Sequence, residues 1–263
     1  MNRIRLLAFV LTLGLSLSFT GCRTISRLID GSGTVYVVEI ETNDPNRLEI
    51  INRVIQIINS RMNAVGIDGE VARSTDIETR IEVKIYGGSN PESLRKFLFT
   101  TYRLELKKLV SPPSPSPPQT FPTQEKADIA ALTGQQVLPY SERESGPSQF
   151  VIVEKESIVT GEHIRTAQAV SRTGSPSDYQ ISFTLDNDGA AKFGEWTGRN
   201  ISNYLAVVLD DKVQSVAFIK TQISDAGEIS GSFTKASAEE IAMSLNSGYM
   251  PATMKIIDER PFK

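Results

Sequence analysis

Between Leu109 and Pro147 the chain carries eight of its 13 prolines, six of them at Pro112, Pro113, Pro115, Pro117, Pro118 and Pro122. Proline lacks the N–H that a helix or a strand ladder needs and fixes its own φ, so a tract this dense reads as extended chain without a core of its own. The expectation is a linker over residues 110–147 that divides the chain into two folded regions. Proline-rich segments also serve as ligands for aromatic grooves, but nothing in the flanking sequence calls for such a reader.

The amino terminus differs from all that follows. Arg3 and Arg5 precede an apolar run of 14 residues from Leu6 to Phe19, and Phe19-Thr20-Gly21-Cys22 ends it with small residues before a cysteine. The run is shorter than the about 20 residues that cross a bilayer. It reads as a secretory signal, residues 1–21, with a lipobox-like end. Cys22 is then the lipid-attachment residue, with residues 22–33 as the tether, and several acyl chains hold firmly where one would be marginal. An uncleaved N-terminal anchor is the competing reading. Either places the bulk of the chain outside the cytoplasm, on the membrane of a bacterial cell envelope. The second mature residue, Arg23, is not Asp, which points to the outer membrane in a two-membrane cell. No later segment reaches 18 apolar residues.

Charge and residue counts exclude several classes of function. With 28 Lys and Arg against 31 Asp and Glu, the net charge of −3 provides no basic stripe for nucleic acid. Loss of Arg3 and Arg5 with the signal leaves 26 basic residues and a charge of about −5. A single cysteine forms no internal disulfide and no zinc cluster, and the single histidine, His163, forms no multi-histidine site. No metal and no cofactor is expected.

Periodicity supplies the fold class. Thr34 to Ile40 is β-rich, and Asp44-Pro45 then opens a helix in which Leu48, Ile51, Val54, Ile55, Ile58 and Met62 recur at helical spacing. Val65-Gly66 stops it. Glu70 to Arg73 is a short strand, Ile81 to Ile85 alternates at period two, Asn90-Pro91-Glu92 starts a helix with Leu94, Phe97 and Leu98, and Tyr102 to Lys107 alternates again. The order βαββαβ is that of a ferredoxin-like split unit over residues 34–109. Beyond the linker, residues 148–250 read as strand (Phe150–Val153), short helix (from Thr160, with Ile164, Ala167 and Val170) and strand (Tyr179–Leu185). A helix from about Ala190 to Asn200 follows, then a hairpin of Leu205–Leu209 and Val213–Phe218 around Asp210-Asp211-Lys212, and a helix capped by Ser237 and Glu240. Met254 to Ile257 is a last strand within residues 251–263. The class is α+β.

Few residues invite a chemical reading. Asp186-Asn187-Asp188-Gly189 offers oxygen ligands, but the twelfth residue from Asp186 is Thr197 where an EF-hand needs glutamate, so a helix cap is expected. His163 has no serine or cysteine in a recognisable motif and reads as a surface histidine. Asp210-Asp211 resembles a catalytic carboxylate pair but reads as a solvated hairpin turn. Phe193 and Trp196, three apart on one helix, are core residues or, on the functional reading, the lining of a peptide groove.

These residues also carry a resemblance. Val159-Thr160-Gly161, the stretch from Phe183 through Asp186 and Gly189 to Phe193, then Thr197, Asn200, Leu205 to Asp210 and Ile229 to Thr234, resemble the head of the first periplasmic domain of SecD, a subunit of the preprotein translocase. Ala238, Leu245, Ser247-Gly248, Pro251-Ala252 and Ile256 to Arg260 are similar to the segment where that head rejoins its base, and Arg80 to Lys84 and Tyr102 to Leu106 are similar to the base itself. The resemblance implies a ferredoxin-like base with an inserted α+β head, the last strand returning to the base. It ends where the family would enter its membrane bundle, so a polypeptide-holding module without a proton-driven motor is expected. The implied partners are unfolded or emerging secretory polypeptides, with Sec translocase components as a secondary expectation, and the membrane is reached through the lipid anchor. The second class of function is a structural envelope lipoprotein that binds another envelope protein or a small ligand. An enzyme ranks third.

Overall fold

Residues 31–87, 92–141, 148–175 and 178–263 are described by the computed structural model. The expected signal, Cys22 and the tether as far as residue 30 lie outside them, as do Asn90 and Pro91. The α+β class holds. Strand β1 (Gly33–Glu41) leads into helix α1 (Arg47–Ala64), and strands β2 (Gly69–Arg73) and β3 (Arg80–Tyr86) into helix α2 (Glu92–Phe99). At the far end of the chain, β12 (Thr253–Phe262) comes back to pair antiparallel with β1. The sheet order is β12-β1-β3-β2.

This is the split βαβ arrangement, but its fourth strand is not the expected one. Residues 102–107 were expected to complete the sheet; instead β4 (Leu104–Leu109) joins a separate barrel, and β12 occupies the edge beside β1. Both segments alternate with an apolar face, so periodicity fits either. β1 and β12 pair from Gly33↔Phe262 to Glu41↔Thr253, a longer register than the short β4 offers. Tyr36, Val38 and Ile40 of β1 and Ile81, Val83 and Ile85 of β3 share one face, closed by Ile51, Val54, Ile58 and Met62 of α1 and by Phe97 and Leu98 of α2. Residues between α2 and β12 are thus an insertion into the base.

The insertion is built around a closed barrel of order β10-β5-β6-β4-β9, using β5 (Gln135–Tyr140), β6 (Gln149–Thr160), β9 (Tyr204–Leu209) and β10 (Lys212–Phe218). β9 is buried along its whole length because its two faces serve two cores. Tyr204, Ala206 and Val208 fill the barrel with Leu109, Leu138, Val151 and Val153. Leu205, Val207 and Leu209 pack outward with a sheet of order β11-β8-β7 and two helices. These elements are β7 (Ile164–Ser171), β8 (Tyr179–Leu185), α4 (Asn187–Arg199), β11 (Ala226–Phe233) and α5 (Lys235–Asn246).

Three further expectations are corrected. Residues 110–147 are not an empty linker: they contain helix α3 (Gln124–Ala130), whose Thr123 cap accepts from Lys126 N, and the barrel strand β5. The dense prolines end at Pro122, and Pro139 fits within β5. Lys155 N donates to Gly134 O, so in the continuous β5–β6 register the bonded partners are Leu138 with Val151 and Tyr140 with Gln149, and the nitrogen of Pro139 points away from β6. The helix expected from Thr160 is only a 3₁₀ turn, Gly161–His163, after which Ile164 to Ser171 pairs with β8. The last helix is capped by Thr234, whose hydroxyl accepts from Ser237 N, while Glu240 accepts from the Tyr102 hydroxyl instead of closing a capping box. The β9–β10 hairpin is as expected, with Asp210 and Asp211 at φ of +47° and +59°, as a type I′ turn requires. Among the described residues no helix is long and apolar enough to cross a membrane.

Candidate functional site

A cleft lies where α4 crosses the outside of the barrel. Asp186 caps α4 by accepting from Gly189 N at 2.7 Å, as the Asp-Asn-Asp-Gly sequence suggested. That N–H above all, and after it the His163 ring, hold the Asp186 carboxyl below the ordinary aspartate range. Gly189 is required: a Cβ there would stand 2.6 Å from the Cβ of His163. His163 is therefore not a free surface residue. Its Nδ1 is 3.3 Å from Asp186 Oδ1, and its Nε2 is 3.1 Å from Lys192 Nζ one turn along the helix.

The inner face of α4 is fixed by Phe193 and Thr197. Phe193 is 2% exposed and sits in the outer core of the insertion, so it does not line a groove. Thr197 Oγ1 donates to Phe193 O at 2.8 Å and accepts from Ile223 N at 3.0 Å. Trp196, next to this buried stripe, is only partly buried and forms one wall of a cleft of about 400 Å³. The helical wall also includes Lys192, Glu195 and Arg199; Lys108, Glu154, Glu156, Ser157 and Ile158 form the opposite one.

The cleft's electrostatics are mixed and partly unspent. Arg199 is paired with Glu195 at 2.7 Å. Lys108, Glu154 and Glu156 have no ion-pair partner among the described residues. Beyond Lys155 the strand β5 has ended, so among the described residues no strand lies beside β6 on that side from Glu156 onward. The cleft thus combines one aromatic side chain, Trp196, and one aliphatic side chain, Ile158, with single charges of both signs. Among the described residues no three His, Cys, Asp or Glu side chains gather as a metal site.

Asp210 and Asp211 form no catalytic pair. Asp210 Oδ1 accepts from Arg103 N at 2.8 Å and from the Thr101 hydroxyl, and Asp211 pairs with Arg103 at 2.6 Å. The turn ties the barrel to the chain segment that leaves the base. Two residues that sequence reading did not single out matter more. Arg61 is fully buried at the junction of base and insertion, and its signal was visible: it continues the Val54, Ile58 stripe of α1 in a place meant for an apolar side chain. Asn246 makes two bonds to the edge of β7, for which the sequence carries no signal.

Comparison with known proteins agrees with the resemblance drawn from the residues. Residues 135–252 match the family described as the SecDF P1 head subdomain. Protein translocase subunit SecD of Koribacter versatilis is 31% identical over 212 residues, 80% of this chain and 38% of that protein. SecD of Elusimicrobium minutum is 33% identical over 236 residues, 85% of this chain and 49% of its own. The chain thus spans less than half the length of these relatives. Among solved structures, SecDF in its super-membrane-facing form superposes with a TM-score of 0.65 at 24% identity, over 87% of this chain and 30% of that one. A second structure, of a membrane component SecDF that enhances protein export, gives 0.64 at 23% identity, covering 85% of this chain and 98% of that one. At these identities the two structures show a shared fold.

Proposed function

Because this chain carries a P1 head subdomain set into a SecD-like base, we propose that it is an extracytoplasmic, membrane-tethered module that holds unfolded or emerging polypeptides during protein export, without chemistry of its own. The observation that carries this reading is the P1 head match over residues 135–252, borne by the insertion whose surface holds the Trp196 cleft. Cys22 is the lipid anchor in this reading, and Sec translocase components are its neighbours. The excess of acidic residues favours basic segments of client chains at low salt, an attraction that weakens as the Debye length shrinks to about 8 Å at physiological ionic strength. Binding is in the micromolar range or weaker, selective for unfolded over folded secretory proteins, and independent of nucleotide and metal.

Photo-crosslinking residues placed at Trp196 and Glu156 in living cells test this. Capture of many exported chains in transit is the expected result. Capture of one folded envelope protein, and of no unfolded chain, would replace this reading with that of a structural adaptor.

A further inference from the structure

The three-stranded sheet ends on β7, and the hydrogen-bond register determines which groups of β7 face outward. Arg172 N donates to Asp178 O, and pairing with β8 runs without a shift from Ser171↔Tyr179 to Thr166↔Thr184. In an antiparallel pair bonded residues alternate, so the N–H and C=O groups of Ala167, Ala169 and Ser171 point away from β8. One of these three is occupied. Asn246, at the C-terminal end of α5, accepts from Ala167 N through Oδ1 at 2.7 Å and donates from Nδ2 to Ala167 O at 2.8 Å. A planar amide giving one donor and one acceptor to the same residue is the contact that a neighbouring antiparallel strand would make there. The structure thereby specifies the chemistry that this edge accepts: a peptide group.

Two further observations separate this edge from the others. Natural sheets blunt their edges with charge, proline or a bulge. The β12 edge of the base carries Lys255, Asp258, Glu259, Arg260 and Pro261, the β2 edge carries Glu70 and Arg73, and the β11 edge carries Glu228 and a register shift between Ile229 and Phe233. The β7 edge from Thr166 to Ser171 has no charge, no proline and an unbroken register. Helix α5 packs against β7, and at Ala167 it meets the edge through the exposed side chain of Asn246. We infer that the outer edge of β7 is a strand-addition site for an extended polypeptide, held closed at Ala167 by Asn246 acting as a stand-in for one residue of the incoming strand.

This inference rests on the polypeptide-holding reading, and the test separates the two. The probe is a ten-residue peptide of alternating valine and threonine with terminal lysines, alongside the same peptide N-methylated along one edge, each added to the full chain in detergent. The Asn246→Ala protein is expected to bind the unmethylated peptide about tenfold tighter than the parent, since two neutral hydrogen bonds no longer compete, and the methylated peptide not at all. In the parent chain, the peptide is expected to slow hydrogen exchange at the Ala169 amide. Unchanged affinity in Asn246→Ala with no protection of Ala169 overturns the inference. Should Asn246→Ala fail to fold, Asn246→Asp, which keeps the acceptor for Ala167 N–H but sets an oxygen against Ala167 O, gives the same comparison. A carboxymethylated unfolded protein serves as second probe: if it binds and crosslinks at Trp196 while Ala169 stays unprotected, the edge inference fails and the holding function stands. If the strand peptide docks on β7 but the unfolded protein does not bind, the holding function fails and the edge stands.

Discussion

Replacing Arg61 by methionine is expected to destabilise the protein by about 3 kcal/mol, and the structure gives the terms. The side chain is 0% exposed. The two hydrogens of its Nη1 are shared among Phe97 O at 2.9 Å, Leu98 O at 3.0 Å and Thr100 O at 2.6 Å, Nε donates to Ser247 Oγ at 3.2 Å, and the buried Nη2 has no hydrogen-bond partner among the described residues. The guanidinium also stands 5.8 Å from the Phe97 ring and 5.9 Å from that of Tyr102. Hydrogen bonds to a charged donor contribute about 1.5–3 kcal/mol each, so the two Nη1 hydrogens and the Nε hydrogen together represent about 5–9 kcal/mol before desolvation. Burial lowers the Arg61 pKa to about 10. At about 1.4 kcal/mol per unit, holding the charge there costs about 3 kcal/mol. The remainder, reduced by the apolar packing that methionine restores, leaves a net loss of about 3 kcal/mol, in line with the cost of removing one member of a buried polar cluster. Urea denaturation followed by circular dichroism measures it, and the melting temperature should fall by about 6–12 °C. An Arg61→Met protein as stable as the parent would mean that the buried cation costs as much as its bonds return.

Ending the chain at Pro251 removes β12, leaves β1 as an open edge and strips Met254 and Ile256 from the base core, so the melting temperature should drop by at least the equivalent of about 2 kcal/mol; a truncated protein that melts with the parent refutes the pairing. Gly189→Ala forces a Cβ against His163 and should cost about 1–3 kcal/mol, read by denaturation, with α4 shifting away from the cleft. Asp186 has a folded pKa below its unfolded value of 3.8, so its contribution is complete above that value and is lost as the pH falls through the lower folded one. Asp186→Asn, which keeps a capping oxygen, should flatten that acid limb of stability, and an unchanged limb would assign it to other carboxylates. Cys22→Ser should abolish uptake of labelled fatty acid in cells, whereas persistent label would exclude Cys22 as the anchor.

How much was legible in the sequence follows from the range of each interaction. Helix α1, strand β3 and the β9–β10 hairpin depend on neighbours within a few residues, and their periodicity or turn chemistry declared them. The proline tract misled because prolines per window say nothing of where the missing N–H groups point; the ladder phase that tolerates Pro139 exists only once β5 lies against β6. Phe193 and Trp196 looked alike at their spacing, and only the placement of β6 and β8 against α4 turned one into core and the other toward a cleft.

The exchange of β4 for β12 is the deepest case, because it depends on two places where the chain crosses between base and insertion. One crossing leaves α2 through Thr100 to Arg103; the other returns from α5 through Ser247 to Ala252. Arg61 bonds to Thr100 O on the first crossing and to Ser247 Oγ on the second, so a side chain of the base holds both strands of the junction at one point. Asp210 adds a second hold on the outgoing crossing through Arg103 N. No sequence pattern links positions 61, 100 and 247, yet the register that makes β12 the fourth base strand requires those crossings to lie side by side. A residue that reads as an interruption of an apolar stripe is thus the one whose loss should separate the two halves of the fold most readily, and its effect should appear first as faster hydrogen exchange along β12 and not within the barrel.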